Sequence, residues 1–300
     1  MCIRDSYLDN EYVYELLVNN LKNFFIRSVC QYDYKNYPIR FVGSLAYSYA
    51  TILREVAREF GIELEIDGAG RDDDFAEELL DIANAHADLL YIKTDGSLDD
   101  GMELVSHPCT MDYHINEFPW EDIMHRAVRQ GYRSHQTSTC GLHLHVNRNA
   151  FSDNQEEQDE VISRILYFVE HHWNELLKFS RRSEYTMNRW AARYGYEHTP
   201  KAIMDKAKKG GNGRYAAVNL CNYHTVEFRL FRGTLKYNTF IATIQLVNRI
   251  CDAAMYNTDD SIAKLSWSDF VADITELELI QYLKERQLYI NDKVEETEEY

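Results

Sequence analysis

The stretch FGIELEIDG, residues 60–68, decides how the chain is read. As a strand, its alternate residues share a face, so Phe60, Ile62, Leu64 and Ile66 fall on one side and Glu63, Glu65 and Asp67 on the other. Acidic residues are poor strand formers, and like charges on one face repel. Something must therefore hold Glu63 and Glu65 side by side.

The same division recurs along the chain. GMELVS places Met102 and Leu104 around Glu103. GLHLHVNR alternates Leu142, Leu144 and Val146 with His143, His145 and Asn147. YAAVNLCN alternates Ala216, Val218 and Leu220 with Ala217, Asn219 and Cys221, and TVEFRLFRG alternates Val226, Phe228 and Leu230 with Glu227, Arg229 and Phe231. One ExE or HxH strand is most often a solvated sheet face. Five strands with the same division predict one antiparallel sheet with helices on its apolar face. On the polar face Glu63, Glu65, Glu103 and Glu227 converge, with Asp95 nearby in YIKTDGSL. Oxygen ligands with one or two imidazoles suit Mg²⁺ or Mn²⁺ better than zinc. Such cations cancel the repulsion, and magnesium binds mainly alongside phosphates, which implies a nucleotide.

Composition narrows the class. The 300 residues suffice for one large domain or two small ones, with 45% apolar residues. No apolar run reaches the roughly 18 residues of a membrane span, and no signal-peptide pattern opens the chain. The opening MCIRDS resembles translated sequencing-adapter sequence and is given no structural weight, which leaves a start downstream of it open. A net charge of −17 opposes binding to nucleic acid or anionic membranes. Six scattered cysteines without a CxxC pair fit a reducing cytoplasm rather than a zinc ribbon or disulfide scaffold.

Apolar spacing predicts helices over 11–27, 45–59, 73–89, 155–179, 238–256 and 274–288, with a turn over Pro38–Gly43 and an acidic tail, NDKVEETEEY. DKAKKGGNGR, residues 205–214, reads as a flexible loop, a candidate to close over phosphates, although it is not a Walker motif. His171 and His172 read as structural positions within a helix.

FGIELE, KTDGSLDDGMELVSHP, CGLHLHVNR and YAAVNLCNYHTVEFRLFRGTL, in this order, resemble the amidoligase family of bacteria and their phages, relatives of glutamine synthetase and glutamate–cysteine ligase. The resemblance spans roughly residues 58–250. It implies an α+β fold, a curved antiparallel sheet with helices on its convex face, forming a glutamine-synthetase-like catalytic domain over 56–256. Residues 1–55 would be a helical N-terminal extension, and 257–300 a C-terminal helix and tail. It also implies an ATP-dependent carboxylate–amine ligase that works through an acyl phosphate, with ATP and Mg²⁺, Mn²⁺ being an alternative. Small-molecule or peptide carboxylates and amines would be the substrates. A metal-dependent hydrolase on the same surface and an inactive interaction scaffold are the alternatives.

Carried over by motif, Glu63 and Glu65 hold different metals. Asp95 and Glu103 complete the site of Glu65, while His143 and Glu227 join Glu63. His143 is also expected near the nucleotide phosphates. Arg229 faces the transferred phosphoryl group or the substrate carboxylate, with Arg232 and Asn219 as further candidates. The role of His145 is left open. Arg181 or Arg182, in SRRSEYTMNRW, is a candidate for the ATP phosphates, the alternative being helix-surface charge.

Overall fold

A computed structural model describes residues 11–29, 32, 41–42, 46 and 48–289. Chain contacts divide it into two compact units, one ending at Arg58 and one beginning at Glu59. Most of Pro38–Gly43, the opening MCIRDS and the acidic tail lie outside the described residues.

In the first unit, α1 (Glu11–Phe24) runs into a π-helical turn, Phe25–Val29, and is followed by α2 (Ala50–Val56). Val18, Ile52 and Val56 form a small core there, with Tyr14, Leu17 and Leu21 packed on it. The helix expected over 45–59 stops at Val56, because Glu59 already opens the first strand.

In the second unit that strand, β1 (Glu59–Asp67), is central. It is flanked by β3 (Gly101–Ser106) and β5 (Gly141–Asn147), and β2 (Leu90–Lys93) lies outside β3. Beyond β5 follow β7 (Thr225–Arg232) and the short β6 (Val218–Asn219), giving the order β2-β3-β1-β5-β7-β6, while β4 (Cys109–Thr110) also pairs with β1. The ladders are antiparallel.

The apolar face is the one predicted. Phe60, Ile62, Leu64 and Ile66 are fully buried, as are Leu142, Leu144, Val146, Val226, Phe228 and Leu230. Each such side chain contributes roughly 1.5–3 kcal/mol of burial. They share one core with the helices α3 (Asp73–Ala83), α5 (Trp120–Gln130), α6 (Gln155–His171), α7 (Trp173–Ser180) and α10 (Tyr237–Tyr256), α4 (Met111–Asn116) also packing nearby. The order continues with α8 (Glu184–Trp190), α9 (Pro200–Lys208), α11 (Asp259–Ile262), α12 (Trp267–Ala272) and α13 (Leu277–Glu285). The last packs along α10, where the Arg249 guanidinium meets the Glu276 carboxylate at 2.8 Å.

Four further differences from the periodicity have a local reason. The helix over 73–89 ends at Ala83, because the Asn84 carboxamide accepts from the Leu89 and Leu90 amides and donates to the Leu90 carbonyl. That clamp starts the unpredicted β2. The helix over 155–179 breaks at His172 (φ −103°, ψ 30°), whose ring reaches the Leu265 carbonyl at 3.1 Å. The supposed loop over 205–214 is helical as far as Lys208, since Thr199 caps the Ala202 amide and Pro200 starts the helix. The strand expected over 215–222 shortens to Val218–Asn219, its earlier part bridging to Ala192 instead.

Candidate active site

Strand register stacks the polar side chains in rows. Lys93 pairs with Glu103, and Glu103 with Glu65. The next row sets Glu63 beside His143. The one after it sets His145 beside Glu227, and Glu227 beside Asn219. Glu63, the residue that the opening stretch puts in question, therefore sits in the middle of a sheet face that is acidic on three strands.

Three groups bring their ligand atoms within 4.8 Å of one another: Glu65, Asp95 and Glu103; Glu63, Glu103 and His143; and Glu63, His145 and Glu227. Glu63 and Glu103 each belong to two groups. His143 Nδ1 lies 3.4 Å from Glu63 and 3.7 Å from Glu227. His145 Nε2 lies 3.6 Å and 3.9 Å from the same two carboxylates, while its Nδ1 is tied to Thr225 Oγ1 at 3.1 Å. Both histidines thus stand between Glu63 and Glu227, which gives a place to the one whose role the sequence leaves open.

Burial works against charge on Glu63. Hydrogen bonds and charge from His143 and His145 overcome it and hold its carboxyl far below the usual range. Glu103 goes the other way: burial, then the charge of Glu63, raise its pKa against the pull of Lys93. Burial, with the charge of Asp95 added, also raises Glu65, although its Oε2 accepts from the Gly141 amide. Burial pushes Asp95 up as well, but the Ser97 amide, 2.6 Å from Oδ1, outweighs it and leaves the pKa lowered. These opposed shifts within one cluster are those of a site short of positive charge.

Cations approach from two sides. Lys93 Nζ is 3.1 Å from Glu63 and 3.2 Å from Glu103. At the opposite end the Arg229 guanidinium pairs with Glu227 Oε1. Glu227 Oε2 accepts from Asn219 at 2.7 Å and Asn222 at 3.1 Å, so Asn219 orients a carboxylate here. Arg232 reaches the polar face through a bulge. Leu144 pairs with Phe228 but Leu142 with Phe231, so β7 holds one extra residue there. Phe231 is thereby turned into the core, opposite to the alternation expected, and Arg232 comes opposite Gly141. Arg232 Nη2 donates to the Thr137 carbonyl at 3.2 Å.

Of the adjacent arginines, the structure brings Arg182 to the cluster and not Arg181. Arg181 ends α7 in the left-handed region (φ 60°), and its guanidinium bonds Tyr282 Oη at 2.7 Å and Thr239 Oγ1 at 3.3 Å. Arg182 turns instead toward Gly141 and donates to the Phe231 carbonyl at 3.0 Å. Burial pushes its pKa down to about 10, against the attraction of Glu65. A Cβ on Gly141 would lie 2.7 Å from Arg182 Nη2 and 2.5 Å from His143 Nε2, so only glycine leaves both side chains room. Asp67 shares the acidic face but is spent on the backbone. Its Oδ1 accepts from the Gly68 and Asp100 amides at 2.8 Å each.

Sequence reasoning missed Lys93 and Asn222, and weighed Arg182 only as the twin of Arg181. The short spacing to Asp95 and to Glu227 was the available signal for the first two. His171 and His172 do bond backbone carbonyls, of Tyr167 and Leu265. No described helix is long and apolar enough to cross a membrane.

Comparison with curated proteins finds no match. A family model described as putative amidoligase enzyme matches residues 83–251. The match takes in Asp95, Glu103, His143, Glu227 and Arg229, whereas Glu63 and Glu65 precede it and join the site through the register of β1. The chain belongs to this amidoligase family, whose enzymes form amide bonds.

Proposed function

We propose that the chain is an ATP-dependent carboxylate–amine ligase. In the first step a substrate carboxylate oxygen attacks the γ-phosphorus and the bond to ADP breaks. In the second the amine nitrogen bonds to the carbonyl carbon, phosphate leaves with the C–O electron pair, and the nitrogen gives up a proton. The observation that carries this reading is the chaining of three ligand groups through Glu63 and Glu103, with arginines beside them.

The donor set fits Mg²⁺ or Mn²⁺. It is mainly carboxylate oxygen, and two of its buried atoms, Glu103 Oε2 and His145 Nε2, lack a hydrogen-bond partner. Glu65, Asp95 and Glu103 would hold one ion, Glu63 with Glu227 and His145 a second, and Glu63, Glu103 and His143 a third between them. When bound, the ions neutralise phosphate charge. The rest falls to the chain itself. Arg229, Arg182 and Arg232 offer guanidinium donors to phosphoryl and carboxylate oxygens, and Arg229 Nε and Arg182 Nε are buried without a partner. Asn219 and Asn222 hold Glu227 still, which keeps Arg229 in place.

The test is ADP release over a panel of carboxylates and amines, with Mg²⁺ and without. Hydroxylamine should replace the amine and yield a hydroxamate, the product expected when it captures an acyl phosphate. Release of AMP would instead indicate an acyl adenylate and overturn the phosphoryl-transfer step. Hydrolysis of amides without nucleotide would favour the hydrolase.

A further inference from the structure

Lys93 is the last residue of β2, and its side chain crosses Glu103, its partner in the ladder. The ammonium stands 3.1 Å from Glu63 Oε1 and 3.2 Å from Glu103 Oε2. Those residues are two of the three in the Glu63, Glu103, His143 group. The ammonium therefore sits where a divalent cation shared by these carboxylates would sit. Its geometry suits a temporary occupant. The side chain is 42% exposed, whereas those of Glu63 and Glu103 are 19% and 2% exposed. Glu103 Oε2 is within charge contact of Lys93 but receives no hydrogen bond from it. A four-carbon stem can carry Nζ out to solvent without disturbing the strand.

We propose that Lys93 is a tethered counter-ion that holds Glu63 and Glu103 together in the metal-free protein and is expelled by the divalent cation that binds them. The inference rests on the metal-binding reading above. It adds that the chain carries its own competitor, which sets the affinity of this site. With Lys93 in place the repulsion between Glu63 and Glu103 is reduced in the metal-free protein. A bound ion, at the usual oxygen distance of about 2.1 Å, would stand too close to the ammonium for both to remain. Cation binding and the swing of Lys93 are then one event.

Two measurements without nucleotide test this. In Lys93→Met, which keeps the length of the stem and removes the charge, Mn²⁺ titrated calorimetrically should bind at least about tenfold more tightly than in wild type. In the unaltered protein, acetylation of Lys93 by an amine-reactive reagent, read by peptide mass, should be slow in EDTA and several-fold faster in saturating Mn²⁺. Mn²⁺ binding by the variant alone would support the proposal in its strongest form. Equal Mn²⁺ affinity in both proteins, or a Lys93 acetylation rate indifferent to Mn²⁺, would overturn it and leave the metal site standing. Absence of Mn²⁺ binding in both would overturn the metal reading itself.

Discussion

Glu65 offers the sharpest separation between a metal-binding carboxylate and a structural one. Its ligand oxygen lies within 4.8 Å of those of Glu103 and Asp95. At that separation and an effective dielectric of about 20, two full charges repel by about 3 kcal/mol. That figure is an upper bound, since burial raises the pKa of both Glu65 and Glu103 and so opposes their full ionisation, and relief on the order of 1–2 kcal/mol is expected. Against this stands the hydrogen bond from the Gly141 amide to Glu65 Oε2, whose loss inside the protein costs about 1–3 kcal/mol.

The two terms separate by choice of variant. Glu65→Gln keeps an acceptor for Gly141 and loses the charge, so in EDTA it should be more stable than wild type by about 1–2 kcal/mol, or about 3–6 °C in Tm. Glu65→Ala loses both and should fall near wild type. Saturating Mn²⁺ should raise the stability of wild type and much less that of Glu65→Gln, since binding to the native state alone stabilises it. Urea denaturation of the three proteins, in EDTA and in Mn²⁺, reads every term. If Glu65→Gln were the less stable in EDTA, or gained as much from Mn²⁺ as wild type, Glu65 would be a structural carboxylate and the account of this face would fail.

Three further outcomes are expected. Arg229→Lys keeps the charge but not the two-pronged donor, so turnover should fall by roughly thirty- to a thousand-fold while Mg²⁺–ATP titration stays near wild type; near-normal turnover would remove Arg229 from the reaction. Gly141→Ala drives a methyl group against His143 and Arg182 and should lower stability by about 1–3 kcal/mol, read as the urea midpoint; an unchanged midpoint would mean that both side chains yield freely. His114, fully buried between the Phe60 carbonyl and the Trp120 indole N–H, has its pKa pushed down to about 4 by burial. The unfolded chain binds this proton first, so His114 contributes stability above about pH 6.5 that is lost as pH falls through 4, about 3 kcal/mol in all. Its imidazole resonances should stay those of the neutral ring down to about pH 5, and a midpoint near 6.5 would refute the assignment.

The sheet was legible because one face of each strand is apolar at every second position, and burial of Ile62, Leu144 and Phe228 leaves no other register. What periodicity could not supply were features set by partners distant in sequence. The strand β2 depends on the Asn84 clamp and on pairing with β3, and its short run LYIK carries no alternation long enough to be read. Asp67 shares a face with Glu63 and Glu65 in the sequence, and i, i+2 spacing cannot tell a carboxylate facing a cation from one facing the amides of Gly68 and Asp100. The choice between Arg181 and Arg182 turned on a single left-handed residue, whose φ of 60° sends the two side chains to different partners.

The bulge in β7 shows why the basic side of the site was only half visible. By strict alternation Arg232 belongs with Val226, Phe228 and Leu230 and would enter the core unpaired, at a cost no fold of this size sustains. One extra residue between the pairs Leu144–Phe228 and Leu142–Phe231 reverses the sense of the strand from that point on. Phe231 takes the core position, edge-on to Phe179, and Arg232 takes the polar one. The sequence FRLFRG contains both demands, an apolar ring to bury and a guanidinium to expose, one residue out of phase with Glu227 and Arg229. Only an irregular ladder meets both, and the ladder is irregular beside His143, where the arginines meet the carboxylates. A β7 without the bulge would keep Glu227 and Arg229 on the polar face and lose Arg232 from it. The two sides of the face therefore arise differently: the carboxylates and Arg229 from regular alternation, Arg232 from a break in it.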